Sequence, residues 1–186
     1  YSHRKVWIRC KIRELARSFA LDLLKISLMD NHLHLLVRTR PDLVLGWDDR
    51  EVARRWWELC PERREEDGAP AEPQDVEVAH WLNDPQRMAE LRRRLASPSW
   101  LMALWCGYIG RRCNREAGKR GRFFEERFRS VRLLDEAAVL ACALYIDLNP
   151  IRAGQAETPE QSEFTSAYDR IQGRRQRAAR AAKAGV

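Results

Sequence analysis

Apolar residues recur at Val6, Ile8, Ile12, Leu15 and Phe19 with basic residues between them, which predicts an amphipathic helix over residues 4–20. Two apolar runs follow, Leu21–Met29 and Leu33–Val37, with Asp30-Asn31 between them. Asp and Asn tolerate the positive φ of a tight turn, so the pair reads as a β-hairpin. Asp48 with Val52, Trp56 and Leu59 predicts a helix over 48–59, and the charged, Pro- and Gly-bearing stretch 61–76 an exposed loop. Helical spacing returns over 77–95 and ends in Arg92-Arg93-Arg94. Ser97 and Pro98 are an N-cap and a first-turn proline for a long helix to about Asn114. Gly118 and Gly121 mark a turn, and the partial alternation of Phe123–Leu134 predicts a strand in its second half. Asp135 caps a last helix with Val139, Leu140, Ala143, Leu144 and Leu148 as its core stripe. That helix is expected to stop near Asn149, because Pro150 disfavours helical backbone in the residue before it. The tail is basic and Ala-rich, a helix or a disordered arm, and no internal repeat is present.

A chain of 186 residues, 45% of them hydrophobic, can form one domain with an inserted subdomain. No apolar run reaches membrane-spanning length and no leader pattern opens the sequence, so a soluble, intracellular chain is expected. It starts at Tyr1 without Met, which leaves room for an element upstream. The 34 Lys and Arg, nearly all Arg, give +7 net and a pI near 9.5. Guanidinium forks grip phosphate and stack on bases, which points to nucleic acid. A GC-rich genome would enrich Arg equally, so composition alone leaves the matter open. Five Cys (10, 60, 106, 113 and 142) form no CxxC pair and read as buried free thiols.

The chemistry concentrates in two places. His32 and His34 alternate with Leu33 on a predicted strand, so both imidazoles project from one face about 7 Å apart along the chain. Two such nitrogens can share a metal ion; two histidines packed at a core edge would look the same. Tyr145 and Asn149 are four apart and share a helical face, with the small residues Ala141 and Cys142 one turn earlier. Taken alone, Tyr145 fits a core-edge tyrosine and Asn149 a helix-ending residue.

Together the pieces match a known pattern. Met29-Asp30-Asn31-His32-Leu33-His34-Leu35-Leu36 resembles the HUH strand of single-tyrosine transposases. The segment from Gly121 to Ser130 (GRFFEERFRS) is similar to one found in the REP-associated branch of that family. So is the stretch from Tyr145 to Gly154 (YIDLNPIRAG). The resemblance spans about residues 20–40 and 98–156, under half of the chain.

The resemblance implies an α+β, ferredoxin-like antiparallel sheet with flanking helices. Residues 1–47 would supply the opening helix and HUH hairpin, 48–97 a charged helical insertion, 98–172 the rest of the nuclease domain, and 173–186 a basic tail. It implies Tyr145 as nucleophile and His32, His34 and Asn149 as ligands of Mg²⁺ or Mn²⁺, although imidazole ligands alone would suit zinc. The reaction would be cleavage of single-stranded DNA beside a hairpin during transposition, leaving a 5′-phosphotyrosine and a free 3′-OH. A phenol ionises only near pH 10, so a cation on the phosphate would help such a nucleophile. Arg122, Arg127, Arg129 and Arg152 would contact phosphates, with Lys119 and Arg120 as further backbone contacts. At least two of Phe123, Phe124 and Phe128 are expected in the core rather than on bases. The expected setting is a bacterial cytoplasm, and the expected state a monomer or homodimer.

Two departures stand out. The first strand of the family's sheet is not found after Tyr1, which would leave a sheet edge open or covered by something else. The insertion 48–97 has no counterpart in the shortest relatives, and could meet DNA through Arg92–Arg94 or serve dimer contacts. Two other functions fit the same residues: a domesticated hairpin-DNA-binding protein without transposition, and a helical interaction protein whose His-x-His is coincidental.

Overall fold

Side-chain caps set the start of three helices. Asp48 accepts from the amide of Glu51, Asp84 from those of Gln86 and Arg87, and Asp135 from that of Ala138, satisfying amides with no partner inside the helix. The computed structural model describes residues 2–183. Its elements are α1 (Ser2–Ala16), β1 (Leu21–Leu28), β2 (Leu33–Thr39), α2 (Pro41–Gly46), α3 (Asp49–Leu59), α4 (Asp75–Leu82), α5 (Pro85–Leu95), α6 (Pro98–Glu116), α7 (Glu136–Arg152) and α8 (Ser166–Lys183). The chain is therefore α+β, with eight helices and a two-stranded antiparallel sheet among the described residues. None of these helices is long and apolar enough to cross a membrane.

Several boundaries differ from the sequence expectation. The helical stretch 77–95 is two helices, because Asp84 caps a new start and Pro85 has no amide to continue the old one. The strand expected within Phe123–Leu134 does not form, and Val131 and Leu134 are exposed. α7 runs through Pro150 to Arg152. A proline this near the end removes only its own amide bond. The real stop is Gly154 at φ 67°, with Gln155 N donating to Pro150 O at 2.8 Å and Gly154 N to Ile151 O at 3.0 Å. The tail is helical as far as Lys183, and its last three positions lie outside the described residues.

By internal contacts the chain divides into two units. One holds the described residues up to Arg9, with Leu23–Val37 and the described residues from Ser130 onward. In it, Met29 N donates to His32 O at 2.9 Å to close the β1–β2 hairpin. The turn does not use the positive φ expected of Asp30-Asn31, since Phe164 is the only described non-Gly residue with one. Outside ties hold it instead: Lys5 pairs with Asp30 at 2.6 Å, and Gln155 donates to Asp30 at 3.1 Å. The outer edge of β1 is covered by residues 164–166. Leu28 N donates to Phe164 O at 3.2 Å, Ile26 N donates to Ser166 Oγ at 2.9 Å, and Ser27 bridges Thr165.

The other unit is Cys10–Asp22 with Arg38–Arg129. Trp56, Trp57, Trp81, Leu91 and Leu95 build its core from α3, α4 and α5. The irregular stretch before α4 is tied to that core where Trp57 Nε1 donates to Ala71 O at 2.6 Å. Arg92–Arg94 are engaged within the unit. Arg92 pairs with Asp49 at 2.7 Å, Arg93 and Arg94 with Glu90, and the Arg94 guanidinium lies over Trp56 and Trp100. Of the five free thiols only Cys113 is buried; Cys10 is exposed and the rest are partly covered.

Candidate active site

The hairpin brings two imidazole nitrogens together. His34 sits in β2, and His32 immediately precedes that strand rather than lying in it. Their Nε2 atoms are 3.1 Å apart, with the rings nearly perpendicular at 87°. Asn31 Oδ1 lies 2.7 Å from His32 Nδ1. A carbonyl oxygen only accepts, so that nitrogen carries the hydrogen and the Nε2 lone pair of His32 faces His34. Burial lowers the pKa of His34, and the charge of nearby His32 lowers it further, which favours the neutral ring that a metal requires.

The donors suit a divalent cation. Ligands at ~2.1 Å and right angles lie roughly 3 Å from each other, close to the observed separation. Among the described residues no three His, Cys, Asp or Glu side chains gather as a metal site. Asn149, the third ligand that the motif resemblance implies, stands on α7. Asn149 is buried at 7% exposure, and its Nδ2 has no hydrogen-bond partner. A buried donor left unsatisfied is costly, so Nδ2 is short of an acceptor, whereas a cation would bind this amide through Oδ1.

α7 carries both Tyr145 and Asn149. Tyr145 is 44% exposed, and its ring meets that of His34 edge-on, with centroids 5.6 Å apart. The phenol thus stands beside the histidines and does not point into the core. The Arg152 guanidinium, two turns further along α7, lies 5.4 Å from the Tyr145 ring centroid. The expected core stripe of α7 is overturned: Leu140 and Leu144 are exposed at 72% and 57%. The buried face runs instead through Ile146, Asp147, Asn149 and Pro150.

Asp147 accounts for that rotation. It is buried and takes Lys25 from β1 and Arg170 from α8, the latter at 2.6 Å. One carboxylate thereby ties three elements in the register that holds Tyr145 near His34. Asp147 lies two residues past Tyr145, off its helical face, and nothing near it in the sequence marks its partners. Asn31 adjoins His32 in the chain, and that adjacency is the one sequence signal for its role.

The remaining sequence candidates belong to the other unit. Lys119, Arg120, Arg122, Arg127 and Arg129 lie on an irregular segment after α6. Asn114 Nδ2 donates to Gly121 O at 2.7 Å to hold its start, and Arg129 pairs only with exposed Glu126. Phe124 packs on Trp105 and Phe123, but Phe123 and Phe128 are exposed and none of the three is in the core. Only Arg152, of the six proposed phosphate contacts, shares a unit with Tyr145. No family model, curated protein or solved structure matches this chain.

Proposed function

We propose that the chain is a single-tyrosine HUH nuclease of the transposase type that cuts single-stranded DNA beside a hairpin. The observation that carries this reading is the 3.1 Å approach of His32 Nε2 and His34 Nε2 with the exposed Tyr145 ring set against His34. Tyr145 Oη attacks the phosphorus and loses its proton. An O–P bond forms to the tyrosine, the P–O3′ bond breaks, and the 3′ oxygen leaves as a hydroxyl after taking a proton. The products are a 5′-phosphotyrosine and a free 3′-OH, poised for strand transfer. His32, His34 and Asn149 would hold Mg²⁺ or Mn²⁺, which when bound polarises the phosphate and offsets its growing charge. Arg152, beside the Tyr145 ring, binds a phosphate oxygen, and Asn31 and Asp147 position the histidine and tyrosine elements. The basic segment 119–129, in the other unit, carries the remaining phosphate contacts of this reading, with Phe123 and Phe128 open to stack on bases. A ferredoxin-like relationship, a bacterial cytoplasmic setting and DNA transposition follow from the same motif resemblance.

Incubation with labelled, hairpin-flanked single-stranded DNA and Mn²⁺ tests the reading. The expected result is a covalent adduct that survives denaturation and is absent in Tyr145→Phe. An adduct formed by Tyr145→Phe removes Tyr145 as nucleophile. Hairpin binding without adduct in Mg²⁺ or Mn²⁺ favours a DNA-binding protein that no longer cleaves.

A further inference from the structure

Many arginines of the chain meet a carboxylate, as Arg50 does Asp75, Arg63 does Glu77 and Arg92 does Asp49. The distal part of α8 is different. From Arg174 to Lys183 every residue is exposed, and the stretch contains four Arg and one Lys without an acid. Among the described residues none of these five cations meets a carboxylate. The negative end of the helix dipole accounts for Arg180 and Lys183 in the last turns. It does not account for Arg174 and Arg177, which repel each other across one turn in mid-helix.

Those two extend a row. Arg170, Arg174 and Arg177 stand at i, i+4 and i+7, so they share one face over about 10 Å of helix. One strand of a duplex presents about three phosphates over that length, at ~3.4 Å each. The row is rooted at the proposed site, because Arg170 is the residue that grips Asp147 on α7. Ala167 and Ile171 line a shallow depression with Arg170 and Arg174 at its foot. An anionic membrane is the other large polyanion. Yet from 174 to 183 the uncharged residues are Gln176 and four Ala, which offer no apolar face to bury in lipid.

We propose that α8 is a binding arm for the phosphates of a double-stranded DNA stem, with Arg174 and Arg177 as its central contacts. The choice of DNA rests on the nuclease reading; the site itself rests on Arg174 and Arg177, which meet no carboxylate among the described residues. Arg174→Gln/Arg177→Gln removes both central cations without disturbing packing, since both side chains are exposed.

Fluorescence anisotropy with a DNA hairpin over a series of KCl concentrations tests it. The log-affinity against log-salt slope should flatten by about 1.8, at about 0.9 per lost phosphate contact. Circular dichroism and the thermal melt should stay as in the wild type. Arg174→Glu/Arg177→Glu should weaken binding further, and a stemless single strand should bind both variants as it binds wild type. An unchanged slope for the Gln pair overturns the proposal. So does an equal loss on the stemless strand, or capture of phosphatidylserine vesicles lost with the same substitutions. Adduct formation by the wild type is scored separately. An adduct with an unchanged slope sinks the arm alone, and a flattened slope without an adduct sinks the nuclease alone.

Discussion

Asn31 Oδ1 lies 2.7 Å from Nδ1 of His32, and this contact decides which nitrogen of that ring faces His34. With Nδ1 protonated, Nε2 presents a lone pair 3.1 Å from its counterpart on His34. Removing the orienting oxygen in Asn31→Ala frees the ring to flip and to change tautomer. Outer ligand partners of this kind typically contribute 10–100-fold in metal affinity. Titration calorimetry with Mn²⁺ should show a loss in that range for Asn31→Ala, and near-complete loss for His34→Ala. Equal Mn²⁺ affinity in wild type and Asn31→Ala would show that the orientation is set elsewhere.

Asp147 is buried between two cations, so its removal leaves Lys25 largely covered and uncompensated. Breaking such a pair from one side costs ~3–5 kcal/mol when both groups are buried. Arg170 is about half exposed and water screens it, which places Asp147→Ala nearer 3 kcal/mol. Urea unfolding should move to a lower midpoint with an unchanged slope. Lys25→Met/Asp147→Leu should recover part of the loss, because an apolar pair leaves no buried charge. A stability within half a kcal/mol of wild type for Asp147→Ala would mean that the carboxylate is not the tie between β1, α7 and α8.

The pKa of His34 gives the metal-free protein a pH dependence of definite sign. Its pKa is lowered by burial and by His32 from an ordinary value of 6.5, so the unfolded chain takes up this proton first. The stability from the neutral ring is fully present above pH 6.5 and is lost as pH falls from there toward the folded-state pKa. In EDTA the urea midpoint should fall between pH 7.5 and 5.5, and His34→Gln should flatten that fall. A wild-type midpoint that rises on acidification contradicts the assignment.

Local motifs were readable in the sequence and long-range ties were not. The hairpin follows from two apolar runs around Asp30-Asn31, and the nearness of Tyr145 to His34 agrees with the motif order. Lys25 stands 122 residues from Asp147 in the chain, and nothing near either one marks the pair. That pair turns Ile146 and Asn149 inward and Leu140 outward, against the rule that places leucines in the core. The pattern of Phe123–Leu134 suits a strand, but strand formation needs a neighbouring edge to pair with. The described edge of β1 away from β2 is taken by residues 164–166. The positive φ of Phe164 is likewise invisible in sequence, since a bulky residue adopts it only when its surroundings impose it.

Gly154, and not Pro150, sets the end of the helix that carries Tyr145. An added Cβ at Gly154 would meet nothing within 4 Å, so Gly154→Ala tests the backbone alone. At φ 67° an L-residue with a Cβ costs ~1–2 kcal/mol over glycine. The thermal midpoint should therefore drop by several degrees in Gly154→Ala and less in Gly154→Asn, because Asn tolerates this region. Pro150→Ala should cost less than Gly154→Ala, since it restores an amide donor where the helix already continues. If Pro150→Ala instead proved the more damaging, the proline would be the stop, and the turn linking Gln155 to Asp30 beside the histidines would need another origin.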